Sequence, residues 1–285
     1  MARSGEFDSA RLAPSASASR TELRADKDSE RSWATVQRWL PSSSSRHKPS
    51  ASRIHSDTSE SGAASVPGGV NCAAQGFSRK RVLGALQSHA PSEGASLICL
   101  WADLGDPEGP KQIVDKTVAA FGRLDILVNC AATRTAHKFD EITPDAWDLV
   151  DHVTARAAFL CSQRAAPHLV RARGTIINMS STAAFRPFGR NHHYVAAKAA
   201  LDGLTRSLAL ELAPQVTVNS VCPGIVGSSL RTRPLRKKIP MKRFATPQEV
   251  ATCVLFLARE GRYITGQSIV IDGGLTLGPG TGEWE

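Results

Sequence analysis

Tyr194 and Lys198 lie four residues apart, which on a helix sets them one turn apart on the same face. A phenol with an unperturbed pKa of about 10 is a poor acid-base catalyst near neutrality, but a neighbouring ammonium stabilises the phenolate and lowers that value. A drop of about two units corresponds to about 3 kcal/mol of differential interaction, which one close, partly desolvated lysine can supply. A phenol tuned in this way passes a proton to or from a substrate oxygen. Ser181 stands thirteen residues before Tyr194, directly after an apolar run, where its hydroxyl can hold a carbonyl while the phenol delivers the proton. A Tyr-x-x-x-Lys pair alone is equally a packed ring beside a solvated amine on any amphipathic helix. Ser181, in this position and order, tips the reading toward chemistry.

These side chains need elements to hold them. From residue 95 onward, short runs rich in Ile, Val and Leu alternate with longer segments of helical period, the pattern of a parallel sheet covered on both faces. Strands are expected at 96–101, 124–129, 175–179, 216–221 and 268–271, and helices at 107–121, 144–170, 192–213 and 247–259. Thr143 before Pro144, and Thr246 before Pro247, read as N-caps with proline in the first turn. The fold class this predicts is α/β, a doubly wound parallel sheet. Ligands of such sheets lie beyond the carboxyl ends of the strands, which singles out Asp103, Asn129, Ser181 and the pair Pro223 and Gly224.

The first third has another texture. Residues 1–69 are dominated by Ser, Ala, Arg and Pro and are expected to be disordered, with helical spacing only around Trp33, Val36, Trp39 and Leu40. Residues 70–94 read as an irregular remnant, and 95–285 as the domain. The net charge of +9 is scattered and aromatic content is only 6 %, so no stacking platform or recognition helix for nucleic acid emerges. The six cysteines lie far apart, without metal-ligand spacing or the density of a disulfide scaffold, and read as reduced thiols of a cytoplasmic protein. No apolar stretch is long enough to cross a bilayer, so no membrane is expected among the partners.

Several motifs, in order, resemble the short-chain dehydrogenase/reductase family. Gly174-Thr-Ile-Ile-Asn-Met-Ser-Ser181 is similar to the family's strand ending in the catalytic serine, and Tyr194-Val-Ala-Ala-Lys198 to its Tyr-x-x-x-Lys helix. Val218-Asn-Ser-Val-Cys-Pro-Gly224 resembles the turn that flanks the nicotinamide, and Tyr263-Ile-Thr-Gly-Gln-Ser-Ile-Val-Ile-Asp-Gly-Gly274 the last strand. Upstream, Ala102-Asp103-Leu104 resembles the acidic turn beside the adenine, and Asp125-Ile-Leu-Val-Asn-Cys-Ala-Ala132 the Asn-Asn-Ala-Gly strand end.

The resemblance implies a Rossmann-like sheet and NADP or NAD as cofactor. It implies hydride transfer between nicotinamide and a small-molecule carbonyl or alcohol, in a homodimer or homotetramer. Ser181 would polarise the substrate oxygen and Tyr194 act as general acid or base. Lys198 would lower the Tyr194 pKa and bind the ribose. Asp103, Asn129, Tyr194, Lys198, Pro223, Gly224 and Ser228 would line the cofactor, Ser228 standing where the family commonly has a carboxamide-binding Thr.

Three departures qualify this. The family's first strand and its Thr-Gly-x-x-x-Gly-x-Gly turn are absent, and with them the backbone cradle for the pyrophosphate. The glycine-bearing stretch from Pro67 to Gly76 lacks a preceding apolar strand. Thr154 occupies the position of a catalytic Asn, offering a hydroxyl but no amide carbonyl for a water relay to Lys198. Cys130 and Ala132 alter the Asn-Asn-Ala-Gly strand end while Asn129 is kept.

Two functions fit: an NAD(P)-dependent oxidoreductase, or a non-catalytic binding or scaffold protein that has lost the cofactor. Substrate choice would rest on the loop from Ile225 to Phe244, whose Arg231, Arg233, Arg236, Lys237 and Lys238 could meet an anion or simply be solvated. His192 and His193 read as helix-start residues with no assigned role.

Overall fold

The computed structural model describes residues 72–75, 97–227 and 233–278. The expectations for 1–69, most of 70–94, Ser228 and Arg231 therefore lie outside the described residues. Strand β1 (Cys72–Gln75) pairs in parallel with β2 (Leu97–Leu100), in register from Cys72 opposite Leu97 to Gln75 opposite Leu100. A regular strand thus stands in a stretch expected to be irregular. Its four residues, with no apolar alternation, carry little periodic signal.

The larger sheet has the parallel order β3 (Ile126–Asn129), β4 (Thr175–Met179), β5 (Thr217–Pro223) and β6 (Ser268–Ile271). Helices link consecutive strands, as parallel neighbours require. They are α1 (Glu108–Phe121), α2 (Pro144–Asp151), α3 (Ala157–Ala172), α4 (His192–Leu212) and α5 (Pro247–Arg259). The period-2 alternation of strand side chains divides the core between two layers. Ile176 and Val218 join Val114, Leu169 and Ala209 of α1, α3 and α4. Ile177, Met179 and Val221 face the opposite side and pack on Val250 and Leu257 of α5. Both faces of the sheet are covered, the doubly wound, Rossmann-like arrangement.

The helix starts follow their predicted caps. The Thr143 side chain accepts from Ala146 N at 3.2 Å, and Thr246 forms a capping box with Glu249, each with proline following. Arg243, ion-paired to Glu249 at 2.6 Å, together with the Thr246 bonds, holds that carboxyl down to about 2. The helix expected over 144–170 is interrupted by a π-turn at His152–Arg156 between α2 and α3. Helical periodicity gives no warning of one inserted residue, and such turns gather at functional sites. This one carries Thr154, buried at 1 % exposure.

Asn178 breaks the apolar run of β4 and explains how strands and helices are held in register. Its Oδ1 accepts from Asn129 Nδ2 at 2.9 Å, and its Nδ2 donates to Thr205 Oγ1 of α4 at 2.9 Å. Asn129 Nδ2 also donates to Ser162 Oγ of α3 at 3.1 Å. A buried amide costs free energy unless it is paired, and here every link joins a different element. Asn178→Ala removes two of these bonds and should lower the unfolding free energy by about 2 to 3 kcal/mol. Urea denaturation checks this through a shifted midpoint at constant slope, and a loss below about 0.5 kcal/mol would show that the network does not hold the elements together.

Candidate active site

β4 delivers its carboxyl end into the site because all five of its residues are buried between the two helical layers. Ser181 follows two residues later with extended backbone, capping a 3-10 turn at Thr182–Ala184, and its Oγ accepts from Ala183 N at 3.1 Å. With a lone pair occupied in this way, the hydroxyl proton is left to be donated outward.

Tyr194 lies in the first turn of α4, its ring packed among Val150, Ala183 and Ala197. Lys198, one turn later, is completely buried, and its Nζ donates to the Met179 carbonyl at 2.6 Å. The ammonium stands 5.7 Å from the Tyr194 ring centroid. Ser180 Oγ closes a return link by donating to the Lys198 carbonyl at 3.2 Å. The three residues singled out for proton transfer are thus brought together where β4 ends and α4 begins.

Their electrostatics differ from the expected pattern in one respect. Burial pushes the Tyr194 phenol above its ordinary value, opposed by a hydrogen bond from the Ser181 side chain and by the Arg134 guanidinium, which lies 6.0 Å over the ring. The depression expected from Lys198 is not what this arrangement produces, because desolvation outweighs the neighbouring charges. Burial likewise lowers the Lys198 ammonium to about 8, against opposing effects from Cys130, Cys222 and Asp202.

The remaining candidates have more structural duties. Asn129 commits its amide nitrogen to Asn178 and Ser162, tying β3 to β4 and α3. Asp103, exposed at the end of β2, uses Oδ1 to accept from Gly105 N at 2.8 Å in a local turn. It follows a strand of the smaller sheet, whereas Ser181 follows β4 of the larger one and Tyr194 and Lys198 lie on α4. Pro223 ends β5 opposite Ile271 of β6. A Cβ on Gly224 would lie 2.8 Å from the Asp272 Cβ and 3.0 Å from its Cα, so the following strand accounts for this glycine. The Thr154 hydroxyl is buried without a hydrogen-bond partner. Arg236 and Lys237 are exposed and line an open basin with Arg243 and Phe244.

Other residues escaped the sequence reading. His193, 1 % exposed, holds Thr135 Oγ1 at 2.7 Å through Nε2, anchoring the loop after β3 to α4. Burial first, then His137 and His192, keep its pKa below the ordinary value. Arg134 rides on that loop, and nothing in its spacing marks it. Asp202 stands four residues beyond Lys198, a spacing that the rule used for Tyr194 would have found.

Residues 66–276 match the family profile described as enoyl-(acyl carrier protein) reductase. The chain is 33 % identical over 219 residues to the 3-oxoacyl-[acyl-carrier-protein] reductase FabG of Staphylococcus aureus, covering 73 % of this chain and 89 % of that protein. The fold is similar to the crystal structure of acetoin dehydrogenase YohF from Salmonella typhimurium, with a TM-score of 0.67, 32 % identity, and coverage of 73 % and 87 % of the two chains. It is equally similar to a blue fluorescent protein from a metagenomic library in complex with NADPH, with a TM-score of 0.67, 31 % identity, and coverage of 72 % and 86 %. A parallel, helix-covered sheet, the clustered Ser181, Tyr194 and Lys198, and a match spanning most of the chain lead to one assignment: the protein belongs to the short-chain dehydrogenase/reductase family of oxidoreductases.

Proposed function

We propose that the protein is an NAD(P)-dependent carbonyl reductase in which Tyr194 is the general acid. The convergence of the Ser181 hydroxyl and the Tyr194 phenol, with the Lys198 ammonium one turn below, carries this reading. Ser181 donates to the substrate oxygen and holds the carbonyl carbon open to attack from the other side. As negative charge builds on that oxygen, Tyr194 passes its proton across. A phenol kept above its ordinary pKa is protonated at neutral pH, the form from which it donates a proton to the developing alkoxide. A bound nicotinamide nucleotide supplies the hydride in this chemistry.

The residues present suit the two ends of such a nucleotide unequally. Tyr194 and Lys198 offer a hydroxyl and an ammonium to the ribose beside the nicotinamide, and Pro223 and Gly224 border it from β5. At the pyrophosphate end the sequence offers no Gly-x-x-x-Gly-x-Gly turn opening a helix. That lack, with the unpartnered Thr154 hydroxyl, favours the second reading of a binding protein that keeps the sheet without turnover.

Titration of the purified chain with NADPH, then NADH, separates the two readings. Saturable micromolar binding supports the oxidoreductase, and its absence in a folded sample supports the binding protein. In the first case, Tyr194→Phe should reduce kcat for a small hydroxyketone or diketone by about 10² to 10⁴, far more than it weakens nucleotide binding through the lost ribose contact. Unchanged turnover in that variant would remove Tyr194 from the mechanism. The chain has two tyrosines, so in a Tyr263→Phe background the tyrosinate absorbance reports Tyr194 alone. Its midpoint in nucleotide-free protein should lie above about 10, the unperturbed value, and a midpoint below it would show that burial does not outweigh the Ser181 and Arg134 effects.

A further inference from the structure

We propose that Arg134 is a specificity-determining residue whose guanidinium receives the carboxylate of a 2-oxo acid while Ser181 and Tyr194 hold the adjacent carbonyl. The proposal rests on the oxidoreductase reading and names its substrate class. Arg134 belongs to the loop that leaves the carboxyl end of β3, the side of a parallel sheet on which ligands lie. Its side chain is exposed, and its guanidinium carbon stands 6.0 Å from the centroid of the Tyr194 ring. The attraction between a cation and an aromatic face draws on charge and consumes no N–H group, so the five donors of the guanidinium remain to be used. Other arginines spend theirs. Arg123, Arg164 and Arg243 each close on a carboxylate, Asp125, Asp115 and Glu249, through two N–H groups. Arg156, Arg186 and Arg262 donate to backbone carbonyls. Among the described residues Arg134 has neither kind of partner. Glu141, farther along the same connection, is taken by Lys138 at 2.9 Å.

The backbone that carries this guanidinium is fixed against the helix that carries Tyr194. Thr135, the next residue, is hydrogen-bonded to His193 at 2.7 Å, and His137 N donates to the Arg190 carbonyl at 3.1 Å. A donor set anchored in this way loses little freedom when it grips a ligand, so less of the interaction is spent on ordering. A planar fork of N–H groups meets a carboxylate through two parallel hydrogen bonds, a fit that a neutral ester or ketone does not reproduce. In a 2-oxo acid the carboxylate is bonded directly to the carbonyl carbon. With the carbonyl oxygen at the Ser181 and Tyr194 hydroxyls, the carboxylate therefore extends toward the guanidinium beside the ring. The formal net charge of +9 favours the approach of such an anion.

The test uses oxamate, which sets a carboxylate beside an unreactive amide carbonyl, and ethyl oxamate, its neutral ester. Each is titrated calorimetrically into the full chain, with and without NADPH. Oxamate should bind about tenfold more tightly than the ester, or better. Arg134→Gln should abolish that preference, and Arg134→Lys should keep part of it, because an ammonium offers the charge without the planar fork. Arg259→Gln, in the last turn of α5, lowers the net charge equally and should leave the preference intact. Equal affinity for the two compounds, no binding of oxamate in either condition, or a preference that survives Arg134→Gln overturns the proposal. Tyr194→Phe should retain the preference, since the ring stays in place. The turnover of that variant judges the oxidoreductase reading and oxamate binding judges Arg134, so the two can fail separately.

Discussion

A lysine ammonium with no exposed surface must find its partners inside the protein, and Lys198 takes them from the elements that build the site. Its proton on the Met179 carbonyl locks α4 against the end of β4. The Ser180 hydroxyl on the Lys198 carbonyl closes the same joint from the other side. Hydrogen bonds to a charged donor are stronger than neutral ones, and losing one partner of a buried pair leaves the other uncompensated. The position of Tyr194 relative to Ser181 is therefore a consequence of how Lys198 is buried. The Asn129, Asn178 and Thr205 chain does the same work one layer deeper, with amides in place of the ammonium.

Much of this was legible in the sequence, and the physical reasons differ by element. Strands β4 and β6 and helix α5 begin and end where the apolar runs and caps predicted, because Thr246 with Pro247 and a fully buried strand each leave a local signature. Ser181, Tyr194 and Lys198 were readable because one helical turn and one strand end are short-range geometry. The π-turn at His152–Arg156 was hidden, since an inserted residue leaves helical composition intact. The raised pKa of Tyr194 was also hidden. Spacing announces the neighbouring charge, but the burial that outweighs it emerges only when Val150, Ala183 and Ala197 close around the ring. His193 and Arg134 depend on where a loop returns, which no periodicity encodes.

The site is built unevenly. Where β4 ends and α4 begins, Lys198 is held by the Met179 carbonyl and Ser180, and Ser181 by the turn it caps. Toward the other end of a dinucleotide, the described strand β3 is the outer member of its sheet, and Ile126 and Val128 are each 39 % exposed. The family match reaches from residue 66 to 276, so it includes both members of the smaller sheet as well as the larger one. Within the family, the identity of this chain rests on its chemistry and its last four strands, with the phosphate-binding turn as its point of departure.

The loop that follows β3 is fastened at two points, Thr135 on His193 of α4 and His137 N on the Arg190 carbonyl just before that helix. Arg134 sits between β3 and those fastenings, with its guanidinium over the Tyr194 ring. The position of this loop therefore sets how close a positive charge stands to the phenol, the effect that counters burial at Tyr194.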